Sequence, residues 1–207
     1  MKKLLIIGAG GHARPIIEIA LLHNYDIAGI IDLNYGGGQE TILGVPIIGG
    51  YATLQSISPE GVHVALAIGD NELRQKEWLK LKEQGYHNFP SLIHPSTIIS
   101  ESAIIEDAVV ICAGAIINPL VKLGLGSIVN TGAIIDHECE IADFVHLAPG
   151  TRLAGRVKVG SKTFIGIGTC VIDKIEIGEG VLIGAGSTII KPIPSNCKIV
   201  GVSKLID

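Results

Sequence analysis

From Ile93 to Ile189 every sixth residue is Ile, Val or Leu, seventeen in succession without a slip. Four places after each stands a small or β-branched residue, beginning with Thr97, Ala103, Val109 and Ala115 and running to Ser187. A helix repeats at about 3.6 residues and a strand at about 2, so neither accounts for a beat of six. A parallel β-helix does, because its stacked coils of short strands share one aliphatic core. Three hexads make one triangular coil, so equivalent points recur every eighteen residues, roughly 4.8 Å apart along the axis. The beat stops where Ser195 fills a place due to an aliphatic, after Lys191-Pro192-Ile193-Pro194. The repeat is expected to end there, with Cys197 to Asp207 covering the open end of the coil.

The rest of the composition suits this reading. There are 27 glycines for corners, and residues are 47% hydrophobic but only 4% aromatic, which leaves Ile, Val, Leu and Ala to build the core. A net charge of −4 gives no basic footprint for nucleic acid. No stretch has the length of a membrane span or a cleavable leader. The four cysteines, Cys112, Cys139, Cys170 and Cys197, form no CxxC pair and no metal-ligand spacing. They are expected to be reduced core or coil residues of a cytoplasmic protein.

Residues 1–90 follow a different pattern. Lys3 to Ile7 is an apolar run ending at Gly8, a buried parallel strand. Ala13 to His23 has helical spacing, Ile27 to Ile31 closes a β-α-β unit, His63 to Ile68 makes a third strand, and Asn71 to Gln84 a second helix. This alternation predicts a small Rossmann-like parallel sheet in an α/β amino-terminal domain. Pro90 and Pro95 mark its boundary with a β-helix domain over 91–207.

The turn Gly8-Ala9-Gly10-Gly11-His12-Ala13 follows a strand and opens a helix, with Asp32 about twenty residues on. Glycines let backbone N–H groups approach a phosphate, and a helix N-terminus favours negative charge. With only about three strands expected, a mononucleotide suits the domain better than NAD, and a tight turn without a ligand is a further reading. Gly69-Asp70-Asn71 falls at the end of the third strand, where Asp70 or Asn71 caps the next helix or meets a ligand.

Within the coil, His137 stands two places after the inward Ile135, near a corner, with Asp136 and Glu138 beside it. A neutral imidazole is a natural general base, and a neighbouring carboxylate fixes its tautomer. Gly155 follows by eighteen residues and so lies over His137 on the next coil, where an unshielded N–H could polarise a carbonyl, such as that of a thioester, near the base. His146 is nine residues away, half a coil round the prism. If both histidines serve one reaction centre, they come from neighbouring subunits.

Together Gly10-Gly11-His12, Ile68-Gly69-Asp70-Asn71-Glu72-Leu73-Arg74, the block Asn130 to His146 and the hexads resemble bacterial sugar acyltransferases. These are hexapeptide-repeat enzymes of the UDP-4-amino-sugar N-acetyltransferase and sialic acid O-acetyltransferase type. The resemblance implies a left-handed β-helix and a homotrimer with acetyl-CoA bound between adjacent prisms, and no metal. It implies His137 as catalytic base, Glu138 as the carboxylate raising its basicity, and Asn130 and Asp136 as polar residues of the same site. It makes His146 and Gly155 contacts to acetyl-CoA, and Gly10, Gly11, His12, Asp32 and Gly69 a nucleotide-sugar pocket. Asp70 departs from the asparagine common in the family, and Gly201-Val202-Ser203-Lys204 only partly matches its ending, where Lys204 would contact CoA. The expected activity is direct acetyl transfer from acetyl-CoA to the 4-amino group of a UDP-linked deoxysugar. The alternatives are O-acetylation of sialic acid or another sugar hydroxyl, and a non-catalytic nucleotide-sugar-binding protein.

Overall fold

A computed structural model describes residues 2–201. The chain divides into two compact units, Met1–Leu92 and Ile93–Asp207.

In the first unit the elements run β1 (Lys3–Ile7), α1 (Ala13–Leu22), β2 (Asp26–Ile31), β3 (Thr41–Ile42), β4 (Val45–Gly49), α2 (Tyr51–Gln55), β5 (His63–Leu66) and α3 (Asn71–Glu83). They form a sheet of order β3-β4-β2-β1-β5, parallel except for the β3–β4 hairpin. Leu4 to Ile7 are wholly buried, as an apolar strand at the centre of a parallel sheet must be. Helix α1 buries Ala13, Ile16, Ile17 and Ala20 along one helical face, with Ile19 buried beside them. Three strands were expected here and five are present. The missed pair turns at Leu43 and Gly44, both with positive φ (50° and 80°), a geometry that leucine does not advertise. From β1 the chain steps one way to β2 and β4, then returns to the other side of β1 for β5. The β1/β5 gap is therefore the topological switch point, where open α/β sheets bind ligands beyond the carboxyl ends of their strands.

The second unit is a left-handed parallel β-helix, an exception to the right-handed rule for parallel crossovers. Two-residue strands from Leu92–Ile93 to Lys198–Ile199 stack into three faces of seven, six and five strands. Pairing runs at a constant offset of eighteen, as in Ile117↔Ile135↔Leu153↔Val171. The aliphatic of each hexad and the small residue four places on fill one core. Where that small residue is a buried Ser or Thr its hydroxyl is satisfied internally: Thr163 Oγ1 donates to Gly178 O at 2.7 Å and Ser127 Oγ to Ala142 O at 2.9 Å.

At the end of the coil the structure differs from the sequence-based expectation. Ile193 forms a bridge to Ile177, and Lys198–Ile199 pairs with Leu182–Ile183, both at an offset of sixteen. The prolines at 192 and 194 thus shorten the last coil by two residues rather than ending it, and Cys197 to Ile199 extend a face instead of capping it. Lys204 and the rest of 202–207 lie outside the described residues.

Candidate active site

In the first unit the glycine turn follows β1 and Gly69 follows β5, one on each side of the switch point. Gly8 has a backbone reason to be glycine: φ is +105°, and a Cβ there would meet Ala67 O at 3.0 Å. Gly10, Gly11 and Gly69 have none. Their φ values are ordinary, and a Cβ on any of them would enter open space. Bare backbone at a strand-to-helix turn is what a phosphate needs for close approach. Asp32 holds this turn, accepting from Ala9 N–H at 2.7 Å and from Asn34 N–H at 2.8 Å. Its carboxylate thus fixes the loop, with remaining lone pairs for a ligand. His12 is the N-cap of α1 and half-buried.

Asp70 takes the capping role anticipated for it, its Oδ1 accepting from Leu73 N–H at 2.8 Å. Arg74 is 1% exposed and turns back onto the strand end, donating to Ile68 O (3.0 Å), Gly69 O (3.2 Å) and Asn71 Oδ1 (2.8 Å). Burial lowers its pKa to about 9, against the opposing pull of Asp70. It braces the carbonyls of Ile68 and Gly69, a role the sequence did not disclose.

In the coil, Asp136, His137 and Glu138 turn the corner between strands Ile134–Ile135 and Glu140–Ile141. Asp136 Oδ1 accepts from His137 N–H at 2.7 Å and from Asn118 Nδ2 at 3.1 Å, the latter one coil earlier. His137 Nδ1 lies 3.0 Å from Glu138 Oε2, and Arg156 Nε lies 3.0 Å from the same oxygen. Hydrogen bonds from Arg156 first and His137 second hold the Glu138 carboxyl below its ordinary pKa. An ionised carboxylate only accepts, so Nδ1 donates, and in the neutral imidazole Nε2 is the nitrogen without a proton. That edge of the ring lies against Gly155: a Cβ there would lie 2.6 Å from both Cε1 and Nε2. The Gly155 N–H donates to no group among the described residues. A base with its lone pair exposed beside an uncommitted N–H suits proton removal coupled to oxyanion stabilisation.

His146 lies on strand His146–Leu147 of the face opposite that corner. It is buried, its ring edge-on to Phe164 at 5.0 Å, with Nε2 3.2 Å from Asn130 Nδ2. Asn130 Oδ1 accepts from Thr131 N–H, which assigns the amide nitrogen to His146. Within one chain the site residues therefore form two groups on opposite sides of the prism: Asp136, His137, Glu138 and Gly155, and Asn130 with His146. Asn130 and Asp136, expected in one site, are not brought together within the subunit. Asn118 and Arg156 were missed, although each stands eighteen residues from its partner.

All four cysteines are free, and burial raises the Cys112 and Cys139 thiols to about 11. Among the described residues no group of three or more His, Cys, Asp or Glu is arranged to hold a metal.

Residues 3–81 match the PglD N-terminal domain family, and residues 156–191 the bacterial transferase hexapeptide family of six repeats. UDP-N-acetylbacillosamine N-acetyltransferase of Bacillus subtilis is 37% identical over 117 residues, covering 55% of this chain and 52% of that protein. GDP-perosamine N-acetyltransferase of Escherichia coli O157:H7 is 27% identical over 107 residues, covering 49% and 45%. The chain thus matches about half the length of these curated relatives. Among solved structures, a mutant perosamine N-acetyltransferase from Caulobacter crescentus, in complex with CoA and GDP-perosamine, superimposes with a TM-score of 0.90. It is 35% identical, covering 96% of this chain and 93% of that one. The acetyltransferase domain of PglB from Neisseria gonorrhoeae, in complex with acetyl coenzyme A, gives 0.88 and 37%, covering 97% and 96%.

Proposed function

The chain belongs to the hexapeptide-repeat sugar N-acetyltransferases, and from that premise we propose that it acetylates the 4-amino group of a UDP-linked deoxy-amino-sugar using acetyl-CoA. The observation that carries the reading is His137: its Nδ1 is held by Glu138, and its Nε2 edge lies against Gly155. His137 Nε2 takes a proton from the amine as its nitrogen attacks the thioester carbonyl. A C–N bond forms, the Gly155 N–H receives the developing oxyanion, and the C–S bond breaks. The proton then passes from the imidazolium to the CoA thiolate, releasing CoA as the thiol. Neither a covalent enzyme intermediate nor a metal is needed. Buried cysteines with raised pKa values are poor nucleophiles.

The nucleotide is assigned to the first unit, with its phosphates at Gly10, Gly11 and the start of α1, and Asp32, His12 and Gly69 around them. The assembly is a homotrimer with acetyl-CoA between prisms, His137 and Gly155 from one subunit meeting His146 and Asn130 from the next. Free cysteines fit a cytoplasmic enzyme, and no helix among the described residues is long and apolar enough to cross a membrane.

The test is thiol release from acetyl-CoA against UDP- and GDP-linked 4-amino-sugars, the matching 4-hydroxy sugars and sialic acid. Turnover is expected with a UDP-4-amino-sugar and is expected to fall at least about a hundredfold in His137→Ala. Unchanged turnover in that variant, or turnover with hydroxyl acceptors alone, would overturn the proposal.

A further inference from the structure

Arg156 stands one coil beyond Glu138, and both sit at the same corner in the left-handed conformation, with φ of 62° and 59°. Their backbones are tied through the intervening residue, Arg156 N–H donating to His137 O at 2.9 Å. From the next coil, Arg156 Nε reaches Glu138 Oε2 at 3.0 Å, while His137 Nδ1 meets that same oxygen from beside it at 3.0 Å. One carboxylate oxygen therefore joins a cation to the base. Positive φ disfavours any side chain except glycine or asparagine, so arginine here works against local backbone preference. Lys174, one coil further at φ 59°, shows that this corner also takes lysine.

Without Arg156, Glu138 would be an exposed glutamate with several rotatable bonds and one partner. Exposed ion pairs contribute little to stability, so a role for this one lies in orientation rather than in holding the fold. We infer that Arg156 is a positioning residue for the acetyl transfer: it holds Glu138 against His137 Nδ1, keeping the tautomer whose Nε2 faces Gly155. The inference rests on the acetyl-transfer reading given above and names a residue for it that acts only through Glu138.

Arg156→Asn suits the left-handed backbone and removes both charge and reach, while Arg156→Lys keeps the charge. In steady-state acetyl transfer, Arg156→Asn should lower kcat roughly tenfold, leave both KM values within about twofold, and leave Tm nearly unchanged. Arg156→Lys should recover most of the loss. In a Glu138→Gln background, Arg156→Asn should cost little more, because its route is already cut. An equal loss in that background, a rise confined to the acetyl-CoA KM, or a wild-type kcat in Arg156→Asn overturns the inference. A wild-type rate in His137→Ala instead removes the acetyl-transfer reading and the role of Arg156 with it. An inactive His137→Ala beside a fully active Arg156→Asn overturns the inference alone.

Discussion

Gly155 is glycine because of a neighbour and not because of its backbone. Its φ lies outside the left-handed region, yet a Cβ would stand 2.6 Å from His137 Nε2. Gly155→Ala should therefore swing the imidazole away, lowering kcat about a hundredfold while shifting Tm by only a few degrees; steady-state kinetics beside a thermal melt will check both. Arg74 shows the reverse balance. Arg74→Met strips the donor from the buried Ile68 carbonyl, the half-buried Gly69 carbonyl and the Asn71 side chain, and should destabilise the protein by about 2–3 kcal/mol in urea. The pH profile tests the proposed pairing of His137 with Glu138. Glu138 is held below the ordinary carboxylate range, so its ionised form persists as pH falls and is lost only beneath that range. An acid limb of turnover lying above that range therefore does not report Glu138, and should survive in Glu138→Gln at a lower rate. A flat profile in that variant would mean that the carboxylate sets the limb. His137, Glu138 and Gly155 were legible as a group because the eighteen-residue count converts sequence distance into height along the coil. Arg156 was open to the same count, but nothing in a spacing says that an exposed arginine bends toward a carboxylate.

A two-residue strand has almost no propensity of its own, and the coil forms because each rung is buried by the rungs on either side. Ile135 is fully buried between Ile117 and Leu153 and lies two residues before His137. Ile135→Ala should cost about 2–5 kcal/mol, and because coils touch only their neighbours it should broaden the urea transition as well as shift it. The same repetition made this part of the fold readable, since one register error would have shown against sixteen agreements. The first unit lacks that redundancy. Strands β1, β2 and β5 carried apolar runs long enough to read, whereas β3 and β4 pair through a turn with a left-handed leucine and carry Pro46 at the pairing. At the far end, the Ser195 break was visible, but not its consequence: two residues removed from one coil still leave Ile193 and Ile199 pointing along the core. Sequence shows that a beat is lost; only packing shows whether the stack continues.

On the scale of the whole molecule, the two histidines of one chain lie on opposite sides of a prism, so no single chain assembles both into one centre. The proposed trimer makes a quantitative forecast. Chains carrying His137→Ala and chains carrying His146→Ala should each be inactive alone, but co-expressed in equal amounts they should recover about a quarter of wild-type turnover, because one interface in four unites both intact histidines. Activity no higher than the sum of the separate variants would exclude shared sites. The constant offset between paired strands also sets how such a protein can change in length. Duplicating or removing eighteen residues away from His137 and Gly155 adds or subtracts one storey, leaving every side chain on its own face and every partner directly above or below. A single inserted residue within a strand instead turns its core residues toward solvent. Gene lengths among proteins built on this coil should consequently come in steps, with odd-sized insertions confined to the corners, where a loop can swell without moving the rungs beneath it.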